Sequence, residues 1–149
     1  MTQSVIWSPI SGGITAPTGF KAAGLSAGLK PSRKPDLSLL LAPEDAVCAG
    51  TFTTSVVRAA CVDLCADRLQ VTSGRVRAVV TNSGQANACT GNRGLVDSLR
   101  ITQAVADRLG FSQDQVLICS TGVIGVPIAM DPLLAAVDPL VNALAPDGG

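Results

Sequence analysis

Val76-Arg-Ala-Val-Val-Thr81, the small polar stretch Asn82-Ser-Gly-Gln-Ala-Asn-Ala-Cys-Thr-Gly91, a helical pattern ending at Gly110 and the run Val116-Leu-Ile-Cys119 together decide the fold class. Val76–Thr81 is the clearest strand in the chain, because β-branched residues dominate a short run. Leu95, Leu99, Thr102, Ala106 and Leu109 recur at steps of four and three, which marks one face of a helix, and Gly110 stands where a left-handed C-terminal residue is expected. Ser112-Gln-Asp-Gln115 has the spacing of a capping box, and Val116–Cys119 reads as a buried strand followed by a turn over Ser120–Gly125. Working outward, Leu37–Ala42 reads as a buried strand stopped by Pro43, Val47–Thr54 as a strand, and Val56–Leu64 as extended, with one helical turn at Ala66–Leu69. Residues 1–35, punctuated by Pro9, Pro17, Pro31 and Pro35, read as an extended, turning segment. Asp131 is expected to cap a helix that has Pro132 at its first position, and Pro139 implies a kink or a second start at Asp138. Strands early and helices late give an α+β class, a mixed sheet covered by helices.

Composition narrows the chemistry. The 149 residues contain no His and no Tyr, so a Ser-His-Asp or Cys-His site within the chain is excluded, as is any metal site requiring imidazole. Lys plus Arg equals Asp plus Glu at 11 each, and Trp7, Phe20, Phe52 and Phe111 are the only aromatics, so the chain is expected to bind no nucleic acid. Charged residues are 15% and apolar ones 47%, a balance that suggests a face turned towards another chain. Cys48, Cys61, Cys65, Cys89 and Cys119 are odd in number and irregular in spacing; Cys61 and Cys65 form C-x3-C, but no second pair completes a zinc site. They are expected to be small, mostly buried thiols in a reducing compartment. The N-terminus lacks the pattern of a signal peptide and no apolar run reaches 18 residues, so a cytoplasmic location without a membrane span is expected. An N-terminal Thr2 nucleophile would need neighbours to hold it, and Gln3-Ser4-Val5 offer none.

Two segments have the residue types for a site. At Ser120-Thr121-Gly122, backbone N–H groups and the Thr121 hydroxyl are suited to stabilising an oxyanion; the plain alternative is a turn in which Gly122 supplies a positive φ. In Asn82–Gly91 the amides are suited to a ligand or, equally, to the loop's own backbone. The acidic residues are scattered, mostly at turns and helix ends.

Five ordered segments carry a more specific signal: Gly12-Gly-Ile-Thr-Ala-Pro-Thr-Gly-Phe-Lys-Ala-Ala-Gly24, Ala49-Gly-Thr-Phe-Thr-Thr54, Asn82–Gly91, Ser120-Thr-Gly-Val-Ile-Gly-Val-Pro127 and Met130-Asp131. In this order and spacing the chain resembles the ornithine acetyltransferase family, bifunctional with N-acetylglutamate synthase in arginine biosynthesis. The resemblance implies a precursor that cleaves itself into α and β chains, with the new N-terminal Thr of the β chain accepting acetyl from N-acetylornithine, or from acetyl-CoA as co-substrate, and passing it to glutamate. It implies an oxyanion hole at Thr121 and Gly122, an α2β2 heterotetramer, and no cofactor or metal. Ser55, Cys61, Gln85 and Ala129 depart from the Asn, Pro, Asn and Pro expected in members. The family's α chain runs on past the counterpart of Pro146-Asp-Gly148, so residues 1–149 are expected to be one incomplete domain, the N-terminal part of an α chain that is inactive alone. The alternatives are a non-catalytic small-molecule binding module and a structural subunit.

Overall fold

The computed structural model describes residues 7–44 and 46–148; Thr2 and its neighbours lie outside them, as do Asp45 and Gly149. Strands β1 (Lys21–Leu25), β2 (Leu37–Leu41), β3 (Ala78–Gln85) and β4 (Val116–Val123) form one four-stranded sheet in the order β1-β2-β3-β4. β1 and β2 are antiparallel, as are β2 and β3, whereas β3 and β4 are parallel. A parallel pair needs a crossover, and α2 (Gly91–Leu109) supplies it. α1 (Ala60–Val71) precedes β3, and α3 (Met130–Ala135) and α4 (Val137–Asn142) follow β4. The expected class, a mixed sheet covered by helices, is the observed one.

Alternation along the strands separates two faces. Leu39, Val80 and Ile118 stand in register across three strands and are buried on the helical side, with Ile101, Val105, Leu133 and Leu140 packed into the same core. α1 and α2 pack on β4, and α4 packs on β1 and β2. The opposite face carries Ser38, Thr81, Cys119 and Thr121 and is open, apart from the stretch around Cys48–Phe52 that lies over Leu117 and Val79.

Several expectations change. β1 lies in a segment that shows only turn formers; Lys-Ala-Ala-Gly-Leu has little strand preference and is held by pairing with β2 and by a bridge between Ala22 and Ala145. Val47–Thr54 forms no strand: its backbone meets its surroundings through Cys48, whose N–H donates to the Gly74 carbonyl at 2.8 Å. Val56–Leu64 is not extended, because α1 begins at Ala60 and absorbs the single turn expected at Ala66–Leu69. The buried side of α2 is Gly94, Asp97, Ser98, Ile101, Thr102, Val105 and Ala106, and Leu95 stays on the surface. This helix packs through small residues: a Cβ on Gly94 would fall 2.6 Å from Asn87 Oδ1 and 3.4 Å from Ala60 Cβ. Gly110 does end α2, at φ 72°. Ser112 and Gln115 form the expected capping box, with Gln115 Oε1 accepting from the Ser112 N–H at 3.2 Å, around a short 3-10 turn at Gln113–Gln115. Asp131 lies in the first turn of α3 rather than capping it, and the break before Pro139 is a new helix start at Val137.

Candidate functional site at the β3–β4 end

The Ser120–Gly125 segment is not the expected turn. β4 continues to Val123, paired with β3 through Asn82↔Ser120, Ser83↔Thr121, Gly84↔Gly122 and Gln85↔Val123, and the turn comes at Ile124–Gly125. Strand Asn82–Gln85 likewise takes the first part of what was expected to be a loop.

Two glycines make this end possible. Gly84 and Gly122 are register partners with φ of 133° and 130°, a conformation that L side chains rarely adopt. A Cβ on Gly122 would fall 2.3 Å from the Gly84 carbonyl carbon and oxygen. Gly122 therefore has a structural reason to be glycine whatever else it does.

The polar side chains of β3 brace the pair. Asn82 is buried; its Oδ1 accepts from Ser120 Oγ at 2.6 Å, and its Nδ2 donates to the Gln85 carbonyl at 3.1 Å. Gln85 Nε2 donates to the Leu29 carbonyl at 3.2 Å. Asn87 is fully buried at φ 52° and donates to the Gly94 carbonyl and to Ser98 Oγ, while its Oδ1 accepts from Thr90 Oγ1. The amides of Asn82 and Asn87 are thus spent on their own surroundings, which leaves the Asn82–Gly91 segment short of free groups for a ligand.

Thr121 and Gly122 keep theirs. Thr121 is exposed, and alternation places its hydroxyl on the open face with Cys119. Along β4 the backbone groups alternate between β3 and the free edge. Val123 faces β3, since its carbonyl accepts from the Ala86 N–H at 2.9 Å; Val116 and Ile118 face the free edge, since their carbonyls accept from Arg68 Nη1 and Cys65 Sγ. By the same alternation the Thr121 N–H belongs to the ladder, and the Gly122 N–H points out of the sheet edge, away from β3. Two donors are therefore open at one corner: a hydroxyl above the sheet and an amide in its plane. Such a pair, fixed before anything binds, is the arrangement that stabilises charge developing on a carbonyl oxygen.

The free edge of β4 also borders an open cleft of about 380 Å³ between α1 and the Cys48–Phe52 stretch, lined by Cys61, Cys65, Cys119 and Ser120. All five cysteines are free thiols; Cys61 and Cys65 are buried, and Cys89 and Cys119 are exposed rather than interior. Burial pushes Cys61 up, against lowering by the Ser120 backbone, and pushes Cys65 up to about 11, so neither is an activated thiolate. Among the described residues, no helix is long and apolar enough to cross a membrane.

The chain shares this scaffold with a class of solved enzymes. It superimposes on an ornithine acetyltransferase from Mycobacterium tuberculosis, solved in complex with ornithine, with a TM-score of 0.88 and 43% identity, over 93% of this chain and 74% of that one. It also matches an arginine biosynthesis bifunctional protein ArgJ from Bacillus halodurans with a TM-score of 0.80 and 33% identity, over 85% of this chain and 65% of that one. The fold is therefore that of the ornithine acetyltransferases. The sequence matches the ArgJ family over residues 21–147, and the chain belongs to that family. Among curated relatives, the arginine biosynthesis bifunctional proteins ArgJ of Prochlorococcus marinus (strain MIT 9313) and Parasynechococcus marenigrum (strain WH8102) are 69% and 68% identical over 97% and 96% of the chain. The chain spans about a third of their length, 34% and 35%.

Proposed function

We propose that this chain supplies the oxyanion hole of a glutamate N-acetyltransferase acting in arginine biosynthesis in the cytoplasm. In this reading a Thr hydroxyl, at the N-terminus of a β chain released from the same precursor, attacks the acetyl carbonyl of N-acetylornithine, with its own amine as base. The carbonyl oxygen becomes an oxyanion, and the Thr121 hydroxyl and Gly122 N–H donate to it. Collapse expels ornithine and leaves acetyl-Thr, which glutamate then attacks through a second tetrahedral state at the same donors. Acetyl-CoA is the alternative acetyl source, and the assembled enzyme is an α2β2 heterotetramer in which these residues form part of one domain.

The observation that supports this reading is the open pair at Thr121 and Gly122 on a scaffold shared with an ornithine-bound acetyltransferase. Ser120 and Asn82, the polar neighbours of that pair, are already hydrogen-bonded to each other. The test is turnover of N-acetylornithine and glutamate. A full-length polypeptide carrying this chain is expected to be active and the 149-residue chain alone inactive. Turnover by the isolated chain would contradict the reading, because it would place the nucleophile within these residues.

A further inference from the structure

β4 is an edge strand, and an edge leaves every second N–H and C=O without a neighbour. Here a helix takes the neighbour's place. Arg68 Nη1 donates to the Val116 carbonyl at 2.5 Å. Cys65 Sγ donates to the Ile118 carbonyl at 3.2 Å and accepts from the Ile118 N–H at 3.4 Å, so one thiol satisfies both edge groups of that residue. Cys61 is next on the same side of α1 and lines the same cleft as Ser120. The residues run in opposite order: 68, 65, 61 on the helix against 116, 118, 120 on the strand.

The spacings explain why the match works. Two strand residues advance roughly 6.6–6.8 Å, and four helical residues advance about 6 Å. The step from Cys61 to Cys65 therefore nearly matches, while the three residues from Cys65 to Arg68 advance only about 4.5 Å, a shortfall that the long Arg68 side chain spans; the match ends with the helix. α1 begins at Ala60, so beyond Cys61 no further turn exists to reach Gly122.

We propose that the Cys61–Cys65–Arg68 face of α1 positions the donor corner of the site, holding the free edge of β4 as far as Ser120 and leaving the Gly122 N–H as the next, open group on that edge. The proposal rests on the reading of Thr121 and Gly122 as oxyanion donors. These are positioning residues: none of them touches the reacting atoms. Cys65 is central because it holds both edge groups of Ile118, and it does so as a thiol, since a donor is needed for the carbonyl and an acceptor for the amide. That dual need accounts for a cysteine at position 65 that has neither a disulfide nor a zinc partner.

The experiment compares Cys65→Val, which keeps the bulk and loses both hydrogen bonds, with Cys65→Ser, which keeps a donor and an acceptor, in the full-length polypeptide carrying this chain. In Cys65→Val, hydrogen exchange at the Ile118 amide should quicken by about tenfold while the Leu117 and Cys119 amides, on the ladder to β3, hold. kcat should fall about tenfold with KM unchanged, and Cys65→Ser should restore both to within about twofold. If Cys65→Val does not fold, Cys65→Ala carries the same comparison. Unchanged kcat in the apolar variant, or a serine variant as impaired as the valine one, overturns the proposal. The companion Thr121→Ala variant separates the causes: if it too keeps full kcat, the donor reading has failed; if it loses kcat while Cys65→Val does not, only the positioning role has.

Discussion

The two ends of the β3–β4 pair share a ladder and differ in almost everything else. At one end Ala78, Val80, Val116 and Ile118 are buried, and α1 covers edge groups of Val116 and Ile118. At the other, Asn82–Gln85 and Ser120–Val123 carry hydroxyls, amides and two flipped glycines, and the strand becomes exposed from Thr121 onwards. A parallel pair costs least when apolar and buried on both sides. The second end departs from that rule, and the departure is concentrated where hydrogen-bond donors are left open. Such local inconsistency within an otherwise consistent element is what a site built on a rigid scaffold looks like.

The largest expected effect sharpens the contrast through its glycines. Gly122→Ala should lower stability by roughly 3–5 kcal/mol, because it combines an unfavourable φ with a Cβ pressed onto Gly84. Gly110→Ala is the control: it also has a positive φ, 72°, but nothing lies within 4 Å, and about 1 kcal/mol is expected. Equal costs in urea unfolding would show that the two strands do not approach as described.

A smaller effect probes the sealed end. Burial raises Cys65 to about 11 from its ordinary value of 9.0, so the folded chain holds that proton more tightly than the unfolded one. Its contribution is fully present below pH 9 and is lost as pH rises through 11, amounting to roughly 3 kcal/mol. Cys65→Ser should flatten that alkaline decline. A variant that declines as steeply as the parent would assign the effect to other groups.

Much of the scaffold was legible. Leu37–Leu41, the core of β3, the start of β4 and the Gly110 terminus follow from apolar runs and one glycine. α1 was not, because its buried side is Cys61, Cys65 and Arg68 rather than a row of large apolar residues, and a buried Arg reads as a surface one. Val47–Thr54 misled for the opposite reason: strand-forming residues do not make a strand without a partner edge. At the candidate site, residue types leave Ser120–Gly122 open between oxyanion donors and a plain turn, the family resemblance singles out Thr121 and Gly122, and neither shows their geometry. Ser-Thr-Gly reads as a turn, and only the opposing Gly84 lets the ladder continue through it. The missed signal was the pairing of two glycines, Gly84 and Gly122, on strands not adjacent in sequence.

The most direct measurement is kcat for Thr121→Ala against Thr121→Ser, with N-acetylornithine and glutamate, in the full-length polypeptide carrying this chain. If the hydroxyl holds the oxyanion, alanine lowers kcat by roughly 10²–10³ with little change in KM, and serine recovers most of the loss. A change confined to KM, or an alanine variant as fast as the parent, would contradict the account.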